Sequence, residues 1–542
     1  MKFKATTIPY RATGLFSPLV NDYLEAKGTA QDFVAYTPNI AGIKKAIEQR
    51  KKSPTNRKVL VEVLNQKYDQ LVIHSKGEKS PALDTVRANI QLLGKENTFT
   101  ITTAHQPNLF TGPLYFFYKI IHAIQLAAEL KKQFPENNFV PVYYMGSEDA
   151  DIAEVGSFTI GGLTHQWKTK QTGAIGRMKV DDGLLQLLQN IEGYWAVKPA
   201  GKEAFEVLKE AYQKGNTIIE ATLSLVHAYF GKYGLVVIQP DDAALKSLFT
   251  NVMEKELISQ FSHKAIQPTL KKLSANYHVQ SEGRELNLFY LKDDLRARIE
   301  LKGEVYNIVD TNINFTQTEI LKELKDHPER FSPNVILRGV YQETILPGVV
   351  FIGGGGELAY WMELKNVFEE VGVHYPVLEL RNSFLFIKEK QCSQWDSLEF
   401  EQAELFKTTL DLEIAFVKKQ AKENLALTEH IAALNKLYES IQQDVIKIDA
   451  SLGDHALNLS IQAQKKLELL EKKMVRAEKR KQHTSINRIH TIKAELFPNN
   501  SLQERVENFS EWVGVYDWAW VEAIMENSKT MHSGFTIIAI EP

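Results

Sequence analysis

A group of polar side chains follows the first strong strand pattern of the sequence. Residues 101–119 read ITTAHQPNLFTGPLYFFYK, where an alternating apolar segment changes into a helical pattern. The polar side chains between the two patterns are His105, Gln106, Asn108 and Thr111. Gly112 and Pro113 open the predicted helix, whose free N–H groups suit a phosphate or carboxylate. A histidine there can donate to a phosphoryl oxygen in a transition state, or these side chains only satisfy a tight turn.

Three carboxylates follow the next predicted strand, in the segment GSEDAD at residues 146–151. They are Glu148, Asp149 and Asp151. Carboxylates this close repel one another unless a positive group lies among them, and the candidates are Mg²⁺, which prefers oxygen ligands, or the amine of a substrate. The alternative is a solvated helix start from Asp151 to Glu154, and the spacing matches no specific metal loop.

A third segment joins four glycines, at residues 353–356, to a predicted helix start. Glycines let the backbone approach a ligand closely or adopt positive φ, but this turn is neither a dinucleotide-binding GxGxxG nor a P-loop. Candidate binding residues in this segment are Gly354, Gly356, Glu357, Tyr360 and Trp361. A polar and aromatic group lies just upstream: Asn334, Arg338, Tyr341, Gln342 and Glu343. Arg338 can hold a carboxylate or phosphate through two parallel hydrogen bonds, or it forms a structural Arg–Glu pair.

The elements around these segments predict an α/β protein. Residues 98–103 and 139–145 fit buried strands, and the helix between them makes a βαβ unit with parallel strands. Further strands are predicted at residues 234–239, 349–352 and 534–540, and insertions at 156–230 and 270–335. In an open α/β sheet, ligands bind beyond the carboxyl ends of the strands. The three polar segments all lie at such ends, so we expect them to form one site.

The composition changes between residues 396 and 494, where proline is absent and glycine nearly so. Mostly apolar residues step there by four and three in two series: Leu427, Ile431, Leu434, Tyr438, Ile441, Val445 and Ile448, then Ala456, Ser460, Ala463, Leu467, Leu470, Met474 and Ala477. A break at residues 451–454 separates the series, which predicts an antiparallel helical hairpin. Because such a seam can also pair with a second chain, we predict a homodimer.

The bulk composition is that of an ordinary globular protein. The 542 residues exceed the size of one typical domain, and a net charge of −3 steers toward no class of partner. A single cysteine, Cys392, excludes an internal disulfide, and we find neither a signal-peptide pattern nor an apolar run of membrane-spanning length. We therefore expect a cytoplasmic protein. The basic run at residues 465–481 suits the solvated face of a coiled coil better than a nucleic-acid site.

Several motifs of the chain resemble those of the cysteine-adding enzymes of bacillithiol biosynthesis. The matching segments, in that family's order, are TTAHQPNLFTGPLYFFYK, PVYYMGSEDADIAEV, FSPNVILRGVYQETILPGVVFIGGGGELAYWMELK and ELFPNNSLQER. The resemblance runs from about residue 100 to the C-terminus and implies a Rossmann-like, parallel-sheet core at residues 1–390 with the two insertions. It further implies a coiled-coil domain at 391–496 that supports dimers, and a C-terminal segment, 497–542, that returns to the core.

The first motif also resembles, loosely, the His-x-Gly-His element of class I nucleotidyltransferases and aminoacyl-tRNA synthetases. His105 would take the place of the first histidine, but no second histidine stands at the required spacing. The chain also departs from the closer family at Ala104, Gly355 and Leu380, where glycine, proline and proline are common. These departures affect the expected loop shapes and remove no candidate catalytic side chain.

The resemblance implies a ligase that joins the carboxyl group of cysteine to the amine of glucosaminyl malate. A free carboxylate does not form an amide usefully in water, so we expect ATP as the activating cofactor. The expected catalytic residues are His105, Glu148, Asp149, Asp151, Arg338 and Glu343, with Mg²⁺ at the first three carboxylates. The expected nucleotide- and substrate-binding residues are Gln106, Asn108, Thr111, Gly112, Pro113, Tyr115, Asn334, Tyr341, Gln342, Gly354, Gly356, Glu357, Tyr360 and Trp361.

Some questions stay open at this level. The attacking amine needs a general base, and the sequence does not select one among the carboxylates. Two other functions compete with the ligase. One is a nucleic-acid-binding protein with a synthetase-like core, and the other is a dimeric coiled-coil scaffold without catalysis.

Overall fold

The computed structural model describes residues 2–71, 81–421, 425–531 and 534–541. The chain forms two compact units. The first, here called the core unit, comprises Ala5–Leu385 and Gln503–Ile537. The second, here called the helical unit, comprises Met1–Lys4, Phe386–Leu502 and Ile538–Pro542.

A five-stranded parallel sheet forms the centre of the core unit. Its strands are β1 (Thr98–His105), β2 (Asn138–Met145), β3 (Val236–Ile238), β4 (Gly348–Gly353) and β5 (Val377–Leu380). The spatial order is β5-β4-β1-β2-β3, and every neighbouring pair is parallel. Almost every residue of these strands is buried, because helices cover both faces, as in other parallel sheets. The predicted α/β class is confirmed, although β5 was not predicted.

The helix after β1 begins later than the sequence suggests. It spans Tyr115–Gln133, whereas Pro113 forms an isolated β-bridge with Asn508. The Leu114 N–H donates to the carbonyl of Glu507, and Leu114 is the N-cap of the helix. Pro113 is therefore not the first helical residue, because pairing with residues 507–508 displaces the helix start.

The remaining helices of the core unit surround the sheet and its insertions. They are Tyr10–Thr13, Pro18–Leu24, Ile40–Arg50, Arg57–Asp69, Pro81–Leu93, Ile152–Val155, Asp182–Ala196, Gly201–Ala211, Ile218–Phe230, Ala243–Ser247, Thr250–Ser259, Phe261–Leu273, Gln317–Asp326, Val335–Ile345, Gly355–Glu363, Lys365–Val371, Gln503–Val506, Ser510–Tyr516 and Trp518–Asn527. The predicted helix after the four glycines is thus two helices, which meet at Leu364.

The two predicted insertions contain antiparallel strands. The first carries a hairpin of Ser157–Ile160 and Leu163–Gln166. The second carries a five-stranded sheet in the order Asn314–Thr316, Val305–Ile308, Leu295–Lys302, Leu288–Lys292 and Phe331–Pro333. The last predicted strand is present at Gly534–Glu541, but it does not join the parallel sheet. It lies between Lys2–Pro9 and Phe384–Ile387 in a separate three-stranded sheet.

The helical unit contains the predicted antiparallel hairpin. Its helices are Glu389–Asp396, Thr409–Gln420, Thr428–Ile446, Ser451–Lys481 and His483–Leu496. Gln442 donates to the carbonyl of Gly453, and the Leu427 N–H donates to Glu471, so the two long helices run in opposite directions. The predicted break at residues 451–454 is wrong, because all four residues are helical and the two helices are separated by residues 447–450. A Cβ at Gly453 would lie 2.7 Å from the Ile446 side chain, so this glycine permits close helix packing.

Part of the basic run is neutralised within the helical unit. Lys479 pairs with the buried carboxylate of Glu413, and Lys481 lies 2.6 Å from Glu478. Among the described residues, no helix combines the length and apolar character that crossing a membrane requires.

Candidate active site

A cavity of about 640 Å³ lies at the carboxyl ends of the parallel strands in the core unit. Its volume falls in the range of small-molecule sites, roughly 300–1,000 Å³. Eleven of the predicted site residues line it: His105, Gln106, Tyr115, Glu148, Asp149, Asn334, Arg338, Gly354, Gly356, Glu357 and Tyr360. The structure therefore brings the three polar segments of the sequence together, where the α/β topology places a ligand site.

The turn between β1 and the following helix has a structural role at its centre. The Asn508 amide donates to the carbonyls of Phe110 and Gly112 at 2.8 and 2.7 Å. Thr111 and Gly112 adopt φ of +68° and +65°, and the side chains of Asn108 and Thr111 are buried. The structure places Asn108, Thr111, Gly112 and Pro113 in this turn and away from the cavity lining. The buried Oδ1 of Asn108 and Oγ1 of Thr111 have no hydrogen-bond partner among the described residues, whereas His105 and Gln106 face the cavity.

Four other predicted residues pack behind the cavity. The Tyr341 hydroxyl donates to the Pro240 carbonyl at 2.7 Å, and Trp361 stacks on Phe351 with ring centroids 4.1 Å apart. The Gln342 amide donates to Glu343 at 2.9 Å. Burial raises the pKa of Glu343 to about 7 although the charge of Arg50 opposes the shift. Tyr341, Gln342, Glu343 and Trp361 therefore support the walls and do not line the cavity.

His105 lies at the end of β1 in an electropositive environment. Its ring packs edge-on against Tyr115, with centroids 5.2 Å apart. Its Nε2 atom is buried without a hydrogen-bond partner in the described parts of the chain. Burial and the charges of Lys119 and Arg381 hold the pKa of His105 well below its usual value, so the imidazole is neutral at physiological pH. A neutral imidazole can still donate one N–H to an anionic ligand.

Lys119 connects the β1 end to the glycine turn. Its Nζ atom donates to the Ala104 carbonyl at 2.8 Å and lies 2.5 Å from Glu357 Oε2. Glu357 in turn accepts a hydrogen bond from the Gly354 N–H at 2.8 Å. Burial lowers the pKa of Lys119, whereas Glu357 favours its charged form. Lys119 was not predicted from the sequence, because it is a single charge among apolar and aromatic neighbours of the helix.

The four glycines matter for the room left by their missing side chains and not for unusual backbone angles. None of residues 353–356 has positive φ. A Cβ at Gly353 would lie 2.9 Å from Leu358, whereas a Cβ at Gly356 would meet nothing within 4 Å. Gly353 therefore permits the tight passage from β4 into the next helix. Gly356 leaves its side of the cavity open.

Arg381 follows β5 and is held by residues from the C-terminal segment of the core unit. Its Nη2 atom donates to Glu504 at 2.7 Å, and its Nη1 atom donates to the Asn382 carbonyl and to Ser383 Oγ. The guanidinium lies 5.1 Å from the centre of the Tyr115 ring. Arg381 and Glu504 are both buried, so this ion pair fixes a positive charge beside the cavity.

More lysine and arginine side chains line the cavity than the sequence predicted. The positively charged lining residues are Lys119, Arg284, Arg296, Arg338, Arg381 and Arg505. Of these, only Arg338 was selected from the sequence, and its Nη2 atom donates to the Tyr360 hydroxyl at 2.5 Å. The segment ELFPNNSLQER, which matched the family motif, contains Arg505. It also contains Glu504, the ion-pair partner of Arg381.

The acidic wall of the cavity does not fit the predicted magnesium site. Glu148 pairs with Lys246, and Asp149 accepts from Gln106 at 2.9 Å. Asp151 caps the helix Ile152–Val155 by accepting from two backbone N–H groups at 3.1 Å each. In the described ranges, no group of three or more histidine, cysteine or acidic residues is placed to hold a metal ion. The helix-start alternative thus describes Asp151, and protein partners engage the other two carboxylates.

One buried acid beside the site gives a stability prediction. Burial raises the pKa of Glu379, on β5, to about 8, while the pKa of neighbouring His122 falls to about 3. Because the folded pKa exceeds the unfolded value near 4.5, Glu379 binds its proton more tightly in the folded state. The contribution of this bound proton to the free energy of unfolding is fully present below about pH 4.5 and is lost as the pH rises through about 8.

The variant Glu379→Gln should therefore remove this pH dependence. Glutamine resembles the protonated acid and can still accept the 2.9 Å hydrogen bond from the Met531 N–H. The unfolding free energy of the variant minus that of wild type should rise by about 2–4 kcal/mol as the pH is raised from about 5 to about 8.5. Urea unfolding at both pH values measures the difference. If the two proteins differed in unfolding free energy by the same amount at both pH values, the assignment of a neutral Glu379 would be wrong.

Comparison with known proteins identifies the family. A family model described as "Bacillithiol biosynthesis BshC, N-terminal Rossmann-like domain" matches residues 1–382. The chain belongs to the BshC family. A second model, for the C-terminal coiled-coil domain of BshC, matches residues 384–540. The expected family and the expected combination of a Rossmann-like core with a coiled coil are therefore confirmed.

Full-length relatives support the BshC assignment. A Flavobacterium johnsoniae protein named "Putative cysteine ligase BshC" is 38% identical over 535 residues, which cover 98% of this chain and 99% of that protein. A Christiangramia forsetii protein of the same name is 39% identical over 538 residues, or 98% of each chain. A solved Campylobacter jejuni structure, titled as that of a "putative arginyl t-RNA synthetase", covers 83% of this chain and 100% of that chain. It has 11% identity and a TM-score of 0.22, which is too low to inform the fold.

Proposed function

We propose that the protein is a cysteine ligase that joins the carboxyl group of cysteine to the amine of glucosaminyl malate, with ATP activating the carboxyl group. Membership of the BshC family and the names of the relatives support the reaction class. The observation that carries the proposal is the cavity itself. It brings six lysine and arginine side chains together with the carboxylates of Glu148, Asp149 and Glu357 at the carboxyl ends of one parallel sheet.

The cationic side suits the anionic parts of these substrates. Amide formation from a carboxylate requires an activated carboxyl group, and ATP supplies the activating phosphate or nucleotide. Lys119, Arg381 and Arg505 would balance the charge of the phosphates, and neutral His105 would donate to a phosphoryl oxygen. Arg284 and Arg296, on another part of the lining, would hold the carboxylates of the malate group.

The aromatic and polar side chains would orient the reactants. Tyr115 and Tyr360 line the cavity, and the hydrogen bond from Arg338 fixes the Tyr360 hydroxyl. Gln106 fixes Asp149 in the same way. Groups held by such contacts need little rearrangement when the reactants meet, and this lowers the entropic barrier.

A condensation assay tests the proposed function. Purified protein is incubated with glucosaminyl malate, cysteine and Mg²⁺, with and without ATP, and the products are measured by mass spectrometry. A condensed thiol that appears only with ATP is the expected result. A condensed thiol without ATP would contradict nucleotide activation, and no product from folded protein in either tube would contradict the ligase proposal.

We also propose that the helical hairpin forms a homodimer. Exposed apolar side chains on the hairpin include Leu437, Ile441, Leu459, Ile461, Leu469 and Leu470. Exposed apolar side chains in this number suit burial against a second copy. The double variant Leu437→Glu/Leu470→Glu should shift the protein to monomer in sedimentation velocity. Leu163→Glu, at an exposed leucine of the core unit, serves as the control, and a dimeric double variant would contradict the proposal.

A further inference from the structure

The buried carboxylate of Glu148 differs from the other acids of the cavity in its surroundings. Glu148 lines the cavity but is only 7% exposed. The charged and titratable groups that face it are Lys246, Asp241, Arg296, Tyr144 and Tyr341. Burial raises the pKa of Glu148 although Lys246 opposes the shift. A carboxylate with a raised pKa is a stronger base than an ordinary surface acid.

A chain of buried ion pairs fixes this carboxylate in place. Lys246 is only 1% exposed and lies between Glu148 and Asp241, with its Nζ atom 3.2 Å from Asp241 Oδ1. Asp241 in turn accepts two hydrogen bonds from Arg177, at 2.7 and 2.8 Å. Lys246 therefore keeps a compensating partner, Asp241, when Glu148 gains a proton.

A second buried group at the same wall lacks a partner. Tyr144 lines the cavity and is only 1% exposed, yet its hydroxyl makes no hydrogen bond to the described residues. Arg338 lies over its ring, 5.6 Å from the centroid. A buried hydroxyl without a partner is costly unless a ligand completes it. An amine is a suitable ligand, since a Tyr oxygen can accept from N–H.

We propose that Glu148 is the general base that takes the proton from the attacking amine, that Tyr144 helps to hold this amine, and that Lys246 is the positioning residue for Glu148. The inference rests on the proposed function. The carboxylate accepts one proton from the substrate ammonium, and the free amine forms the C–N bond with the activated carboxyl carbon. The bond between that carbon and the oxygen of the activating group breaks, and this group leaves with the electron pair. The second amine proton is transferred to the oxygen of the departing group as the amide forms.

The other candidate bases are less suitable. Glu357 is engaged by Lys119 and the Gly354 N–H, and Asp149 by Gln106 and the Ala150 N–H. His105 has a depressed pKa and, as a neutral imidazole, carries no negative charge to attract the substrate ammonium. Glu148 also pairs with a lysine, but Lys246 keeps Asp241 as a partner when Glu148 gains a proton, whereas Asp241 has no counterpart beside Lys119 and Glu357 among the described residues.

The variant Glu148→Gln separates the two halves of the reaction. Hydroxylamine is unprotonated at neutral pH, so it captures an activated carboxyl group without a general base. The variant should form cysteine hydroxamate from cysteine and ATP at the wild-type rate, while its amide formation falls at least about 100-fold. Glu379→Gln, a buried glutamate outside the cavity, is the matched control and should retain both rates.

The outcomes distinguish this inference from the proposed function. Wild-type amide formation in the variant, or an equal loss of hydroxamate and amide, would overturn the role of Glu148 and leave the ligase proposal standing. A wild-type protein that forms neither hydroxamate nor amide would overturn both.

A second variant tests the role without removing the carboxylate. Lys246→Met deletes the charge that lowers the pKa of Glu148, so the acidic limb of the amide-forming rate should move to higher pH. The hydroxamate rate should not show this movement. A merely structural Lys246 would lower both rates at every pH, and that result would overturn the positioning role.

Discussion

Replacement of Arg381 by methionine is expected to abolish amide formation and to lower the unfolding free energy by about 3–5 kcal/mol. The loss of stability follows from the partner of this arginine. Glu504 is fully buried and lies 2.7 Å from Arg381, so the variant leaves an uncompensated charge in the interior. The loss of activity follows from the position of the guanidinium at the end of β5, on the cationic side of the cavity.

A double variant separates these two effects of Arg381. In Arg381→Met/Glu504→Gln the buried charge is absent, so most of the stability should return, because apolar and neutral replacements of a buried ion pair are well tolerated. Activity should not return, since the cavity still lacks the cation. Urea unfolding and the condensation assay measure both quantities. An active double variant would show that Arg381 serves only to balance Glu504.

The local patterns of the sequence were sufficient for the architecture around the site. The alternation at residues 98–103 and the apolar run at 139–145 predicted β1 and β2, and the topology rule for parallel sheets predicted that the segments after them would meet. The heptad spacing predicted both long helices of the hairpin. These features are readable because their signals repeat within a few residues.

The missed features depend on partners that are distant in the sequence. Arg381 is held by Glu504, and the turn after β1 is held by Asn508, nearly 400 residues away. Lys119 lines the site from a stretch of helix whose neighbouring residues are apolar or aromatic, where periodicity alone assigns it to no function. Polar side chains such as Asn108 therefore look alike in the sequence whether they face a ligand or are buried in a turn. Only the tertiary contacts distinguish the two cases.

Replacement of His105 by alanine is expected to lower kcat by about 10²–10³-fold and to change KM little. The ring stands at the end of β1 between Lys119 and Arg381, and its buried Nε2 atom has no hydrogen-bond partner among the described residues. A donor held ready in this way stabilises charge that develops in the transition state and contributes less to ground-state binding. Initial-rate kinetics of the condensation measure the two constants separately.

The pH dependence of the same variant tests the charge state of His105. Its depressed pKa keeps the ring neutral at physiological pH, so the His105→Ala profile should parallel that of wild type at a lower rate. His227→Ala is the control, because burial lowers the pKa of His227 to about 4, and this histidine does not line the cavity. It should lose stability and keep kcat. An acidic limb that disappears in His105→Ala would show that His105 titrates during turnover. A raised KM with unchanged kcat would assign the ring to substrate binding alone.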